Sequence, residues 1–265
     1  MALNELSPGQ MQFLNQRKKH KRIVRVSRIA ILLSFLFIWE FTANVGIIDS
    51  FIFSSPSKIA LCFWNMVMDH TIFLHVGVTL YETIVSFFLV ILVSILMAVA
   101  LWFSEKLSEI LDPYLVILNS LPKSALAPLL IVWLGATSTT IIVAGMSVAV
   151  FESILNLYTS FTTVDPDELK LIYTLHGNRW HALTKVVLPS CIPSIISTMK
   201  VNIGLCLVGV VIGEFLAARN GLGYLIIYSS QVFKMDWLLM SILLLCIMAM
   251  GLYAVIGIFE KKYQR

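Results

Sequence analysis

Lys200 and Glu214 stand 14 residues apart (214 − 200) in a run, 191–216, that is otherwise almost wholly apolar. Four helical turns of about 3.6 residues cover that spacing, so a helix projects both from nearly one face, roughly 21 Å apart along its axis. Ionisable groups inside a membrane are expensive and mark candidate pathways. Either the two line a route for a solute, with Lys200 offering a cation to an anion, or Lys200 snorkels to the headgroups and Glu214 caps the adjoining loop. Asn119 and Lys123, beside Pro122 and Pro128, form a second pair. They line a cavity at a kink or sit in a bend near the leaflet. Glu40 and Glu82 fall near the ends of apolar runs and read as interfacial.

The chemistry of a self-contained enzyme is missing. No G-x-x-x-x-G-K-[ST] phosphate loop occurs, nor any Ser/His/Asp or metal-ligand constellation. Cys62, Cys191, Cys206 and Cys246 are scattered among apolar neighbours and read as small buried hydrophobes. Gly221-Leu222-Gly223 is too short for a dinucleotide fingerprint and reads as a turn. The expectation is a non-catalytic chain without cofactor or metal.

The elements that must position these residues follow from composition. Hydrophobic residues make up 58% of the chain and charged ones 13%, with mean hydropathy +0.89. Soluble domains have about 25% charged residues, so no water-soluble surface can be assembled from this material. The chain reads as an all-α polytopic membrane protein. Six runs approach the roughly 20 residues a spanning helix needs: 29–48, 77–103, 115–134, 138–160, 191–216 and 237–259. Period-two alternation that would suggest a barrel is absent. Basic residues set the orientation. Arg17, Lys18, Lys19, Lys21, Arg22, Arg25 and Arg28, then Lys106, then Lys170, Arg179 and Lys185, then Lys261, Lys262 and Arg265 all fall on one side of six crossings. Only Lys58, Arg219 and Lys234 fall on the other. The basic side is cytoplasmic, so both termini are expected there, in a cell inner membrane. Residues 1–28 form a basic cytoplasmic segment, poorly ordered to about residue 22 and attracted to anionic lipid rather than to nucleic acid. The basic run leads into a full-length span, so it is not a cleavable signal. Residues 29–262 form the membrane domain. Pro56 reads as the start of an external interfacial helix, SEKLSEILDPY as a cytoplasmic elbow, and 217–236 as an external loop.

One polar island interrupts the pattern. DPDELKLIYTLHGNRWHALTKVVLPSCIP, residues 165–193, lies on the cytoplasmic side within a loop of 161–190. Asp165-Pro166, followed by Asp167 and Glu168, is a helix-start signal. Leu169, Ile172, Tyr173 and His176 recur at helical spacing as one apolar stripe. His176-Gly177-Asn178 is a break, since Gly and Asn accept left-handed backbone geometry. A second helix runs from Arg179 through Trp180, Leu183, Val186 and Val187 to Leu188-Pro189, where the fifth span begins. Two amphipathic helices joined by a sharp turn suit a groove in another protein; the alternative is a helix pair lying on lipid.

These residues resemble the cytoplasmic loop of the inner-membrane permeases of bacterial ABC importers, whose pattern is E-A-A, three residues, G, nine residues, I-x-L-P. Val186-Val187-Leu188-Pro189 matches its end. His176 then falls on the glycine and Lys170-Leu171-Ile172 on E-A-A, so the first half departs from the pattern, with the glycine displaced to Gly177. SSPSKI, LPKSALAPLLIVWLG, VDPDEL and GEFLAARNGLGYLI extend the likeness over residues 30–262. The branch is that of taurine, aliphatic sulfonate and nitrate importers, with carriers of thiamine precursors and riboflavin. The resemblance implies a type I importer-like fold, a homodimeric pore, two separate ATP-binding ATPase subunits and an external solute-binding protein. It also implies coupling through Lys170, Tyr173, His176, Gly177, Asn178, Arg179, Trp180, Leu188 and Pro189. A small anion is the expected solute, with a heteroaromatic as the alternative; a stand-alone ion-coupled transporter is the rival from another class.

Overall fold

The structure, a computed structural model, describes residues 8–263. Its chain order is α1 (Pro8–Val45), α2 (Ser50–Phe53), α3 (Pro56–Met68), α4 (Thr71–Phe103), α5 (Glu105–Ser120), α6 (Lys123–Leu134), α7 (Ser138–Thr162), α8 (Pro166–Thr174), α9 (Arg179–Ala182), a π-helical turn (Leu183–Val187), α10 (Leu188–Ala217), α11 (Leu222–Gln231) and α12 (Met235–Tyr263). No strand occurs among the described residues. The all-α expectation holds, as apolar surroundings demand of a backbone that must satisfy its own hydrogen bonds.

Four helical segments are long and apolar enough to cross a membrane: Thr71–Phe103, Ser138–Thr162, Arg179–Ala217 and Met235–Ile258. The bent pair α5–α6 makes a fifth if it counts as one span. The sixth expected span, 29–48, lies in α1 and is not among them. Its apolar stretch inside the helix runs only from Ile29 to Val45 and includes Glu40 and Asn44. Helix α1 begins at Pro8, so helical structure extends well before residue 22; residues 1–7 lie outside the described part, as do Gln264 and Arg265.

Two compact units divide the chain at Cys62. In the first, Glu40 accepts hydrogen bonds from the Ser57 backbone N–H (3.0 Å) and hydroxyl (2.8 Å), which caps the start of α3. Pro56 is the first helical residue, as its missing N–H favours.

In the second unit α7 is central, packed against α4 and α10, with α12 against α10 and α11. Its core is Phe87, Val90, Leu101, Ala149, Ile154, Ile203 and Cys206. A Cβ on Gly209 would come within 2.8 Å of the Gly145 Cα, so only glycines allow α7 and α10 to cross this closely.

Three sequence expectations need correction here. The elbow after the second span is a single residue, Ser104, which ends α4 and accepts a hydrogen bond from Leu107 N–H (3.3 Å) to start α5. The third span is broken rather than kinked. Leu121 is extended (ψ 140°), as a residue before proline prefers, Pro122 precedes α6, and the two helices meet at 96°. Residues 217–236 hold a helix, α11, with Leu222, Leu225 and Ser229 on its buried side.

Candidate functional site

The 165–193 island folds from local signals. The Asp165 carboxylate accepts from Asp167 N–H (2.9 Å) and Pro166 opens α8. The helix closes in a Schellman motif. Gly177 N–H reaches back to Ile172 O (2.8 Å) and His176 N–H to Tyr173 O (3.1 Å). The left-handed residue is His176 (φ 61°), not Gly177. Gly177 is required for another reason: a Cβ there would lie 2.5 Å from Ile172 Cγ2 and 2.8 Å from its carbonyl oxygen. His176, which the resemblance sets on the glycine of the pattern, is thus the residue in left-handed geometry.

Asn178 begins α9 with a reciprocal cap. Its side chain accepts from His181 N–H (2.9 Å) while its own N–H donates to His181 Nδ1 (3.3 Å). His181 was not singled out from sequence; the Asn-x-x-His spacing of a capping box was its signal. Arg179 donates to the Phe103 carbonyl (2.8 Å) at the end of α4, and Trp180 stacks on the Phe103 ring at 6.2 Å. A guanidinium at a helix C-terminus also suits the macrodipole. Arg179 thus ties the loop to α4.

Helix α9 does not stop at Pro189. It runs without interruption into α10, giving one helical segment of 39 residues, Arg179–Ala217, roughly 58 Å at about 1.5 Å per residue. In a regular helix the Pro189 ring would collide with the Lys185 carbonyl. The π-helical turn relieves this, with Leu188 N–H reaching back to Leu183 O. Such turns are frequent at functional sites.

The expected stripe is split. Leu169 and Leu188 pack against Phe161, Leu183, Val187 and Cys191, and Ile172 is half-buried. Tyr173 and His176 face outward instead. With them are Leu171 (60% exposed) and Leu175 (71%), and Trp180 (59%), whose other side is covered by Phe103. Lys170 pairs with Asp167 at 2.8 Å, and both are exposed.

Glu214, at the far end of the same helix, is fully buried. One carboxylate oxygen accepts from Thr79 Oγ1 (2.6 Å) and the other from Gly223 N–H (2.6 Å). Thr79 Oγ1 accepts from Leu222 N–H (2.8 Å), and His75 Nδ1 accepts from Gly221 N–H (3.0 Å). Gly221 (φ 120°) has no room for a Cβ beside that carboxylate. Glu214, with Thr79, holds the start of α11. Glu82 also departs from expectation: it is fully buried, without a hydrogen bond to either oxygen, next to Ser138 and Glu214. The reason is that α4 starts at Thr71, so Glu82 lies three turns inside it.

Lys200 faces α12, where its Nζ bonds the Glu260 carboxylate and lies 5.2 Å from the Tyr253 ring centre. Lys123 bonds the Asn119 backbone carbonyl and its Oδ1 (3.2 Å) across the α5–α6 break. The structure brings Asn119 and Lys123 together, and pairs Lys200 with Glu260.

Residues 90–265 match the family described as binding-protein-dependent transport system inner membrane component. The chain belongs to this family. It is 30% identical over 220 residues to a probable ABC transporter permease protein of Haemophilus influenzae, covering 82% of this chain and 88% of the relative. It is 24% identical to a putative aliphatic sulfonates transport permease of Bacillus subtilis, covering 85% and 82%. Further relatives are named for riboflavin, formylaminopyrimidine, taurine and nitrate transport. The fold matches the methionine ABC transporter MetNI in an inward-facing conformation, with TM-score 0.63, 18% identity, and coverage of 71% of this chain and 94% of that one. The permease is a multi-pass inner-membrane subunit of an ABC importer, and this family's membrane subunits are not themselves catalytic.

Proposed function

We propose that residues 166–189 of this permease are the element through which an ATPase subunit drives the pore. One observation carries the reading: an exposed apolar surface, Leu171, Tyr173 and Leu175 on α8 and Trp180 in the first turn of the next helix, adjoins a segment continuous with a membrane span. Burying that surface on a partner is favourable, and the unbroken segment transmits a push at Trp180 along α10. Arg179 and Trp180, clamped on Phe103, carry the same push to α4. On this reading the loop and both termini are cytoplasmic and two copies of the chain form the pore. Two separate ATPase subunits dock beneath, and an external solute-binding protein delivers the cargo.

The cargo is a small polar solute. Lys200 and Lys123 would favour a sulfonate, taurine or nitrate only as free cations facing the pathway. Lys200 is paired with the Glu260 carboxylate, which leaves it no free charge for an anion and favours the heteroaromatic alternative; Lys123 bonds only the neutral Asn119. The test replaces Gly177 with Val and Arg179 with Ala and measures ATPase co-purification together with uptake. Both should fall, and unchanged binding and transport in both variants would remove the loop from the mechanism.

A further inference from the structure

Between α7 and α10 lies an open groove of about 390 Å³, lined by Asn156, Thr159 and Ser160 on one side and Ser194, Ser197 and Thr198 on the other. Both helices are long and apolar enough to cross a membrane. Asn156, Thr159 and Ser197 are exposed. Apart from Ser160, whose hydroxyl bonds the Asn156 carbonyl (2.9 Å), none of these side chains makes a hydrogen bond among the described residues. Uncompensated amide and hydroxyl groups facing hydrocarbon would each cost free energy. Such a face belongs against water or a polar solute rather than lipid.

The charge one helical turn beyond the groove sets its preference. Glu152 precedes Asn156 by one helical turn and Thr159 by two, so the three share a face of α7. It is half-buried and has no hydrogen bond or ion pair among the described residues. Its neighbour Ser153 is bonded to Asn202 of α10 (2.9 Å), which locks the two helices together at that level. Lys200 is one position from the groove residue Val201 but is held by Glu260, so it adds no free cation there.

We propose that this groove, headed by Glu152, is the solute's path along the protomer, and that it takes a solute bearing a protonated or N–H-donating nitrogen rather than an oxyanion. Hydroxyl and amide oxygens accept from such a head, and the carboxylate attracts it; a sulfonate or nitrate meets the same carboxylate as a repulsion. The inference rests on reading the chain as the pore-forming subunit and names the solute class of that pore.

The test introduces Asn156→Cys or Ser197→Cys into the full chain, purified with its ATPase subunit. Cys246→Ser removes the one exposed native cysteine, since Cys62, Cys191 and Cys206 are buried. Reaction rates are compared for trimethylammonioethyl and sulfonatoethyl methanethiosulfonate, each scaled to its rate with 2-mercaptoethanol. Both reagents should react, with the cationic one favoured about five- to tenfold by the nearby carboxylate. Glu152→Gln should abolish that preference, and 4-aminopyrimidine should slow the reaction where ethanesulfonate does not. No reaction at either position, a preference that survives Glu152→Gln, or protection by ethanesulfonate alone would overturn the proposal. ATPase co-purification, followed in the same samples, reports on the loop separately; its loss in loop variants leaves these rates interpretable.

Discussion

At one end of the Arg179–Ala217 helix, Glu214 is fully buried with both carboxylate oxygens hydrogen-bonded; at the other, Trp180 is 59% exposed beside Leu171 and Leu175. Both ends carry a short helix joined by a tight turn, and both turns depend on a glycine. At the Glu214 end the turn is closed by distant side chains, Thr79 and His75 of α4, so the chain satisfies itself. At the loop end the turn is closed by local backbone bonds, and the apolar surface is left over. The difference separates a region that satisfies itself from one whose apolar surface stays open, as the proposed docking of an ATPase requires.

That contrast can be broken by substitution. Glu214→Ala leaves the Thr79 hydroxyl and the Gly223 N–H buried without an acceptor, each costing about 1–3 kcal/mol. Thermal unfolding in detergent should show the largest loss of any variant considered, with Glu214→Gln intermediate. Gly177→Ala forces a Cβ onto the Ile172 side chain and carbonyl and should cost about 2 kcal/mol, within the usual range for backbone strain. Its effect should be local, read as faster proteolysis between residues 174 and 181 with little change in the unfolding midpoint. His176→Gly acts in the opposite sense. It relieves a left-handed non-glycine residue and should stabilise the turn by about 1 kcal/mol, seen as slower proteolysis of the same segment. An unfolding loss from Gly177→Ala as large as that from Glu214→Ala would erase the distinction between the two ends.

What could be read from the sequence divides along the same line. Asp165-Pro166 and the His176-Gly177-Asn178 break were legible because caps and turns depend on neighbours in the chain. Even there the residue in left-handed geometry is His176, neither the Gly177 nor the Asn178 that accept it most readily. Pro122 was legible as a disturbance but not as a 96° break. The partners of Glu214 were not legible, because Thr79 lies 135 residues away in sequence. Glu82 was misread because the start of α4 was set two turns too late. The groove led by Glu152 left only a weak trace, a carboxylate and scattered hydroxyls at helical spacing on two separate helices.

The central claim is that the loop surface exists for an ATPase and not for the fold. Leu171→Ser with Leu175→Ser tests it most directly, because both side chains are exposed and contribute little to the folded chain. The measurement is the dissociation constant of the purified chain for its ATPase subunit, taken beside the thermal midpoint of the chain alone. The account predicts affinity weakened by about tenfold or more, the loss of about 1.4 kcal/mol of contact, with stability changed by less than about 0.5 kcal/mol. An unchanged dissociation constant at unchanged stability would contradict it.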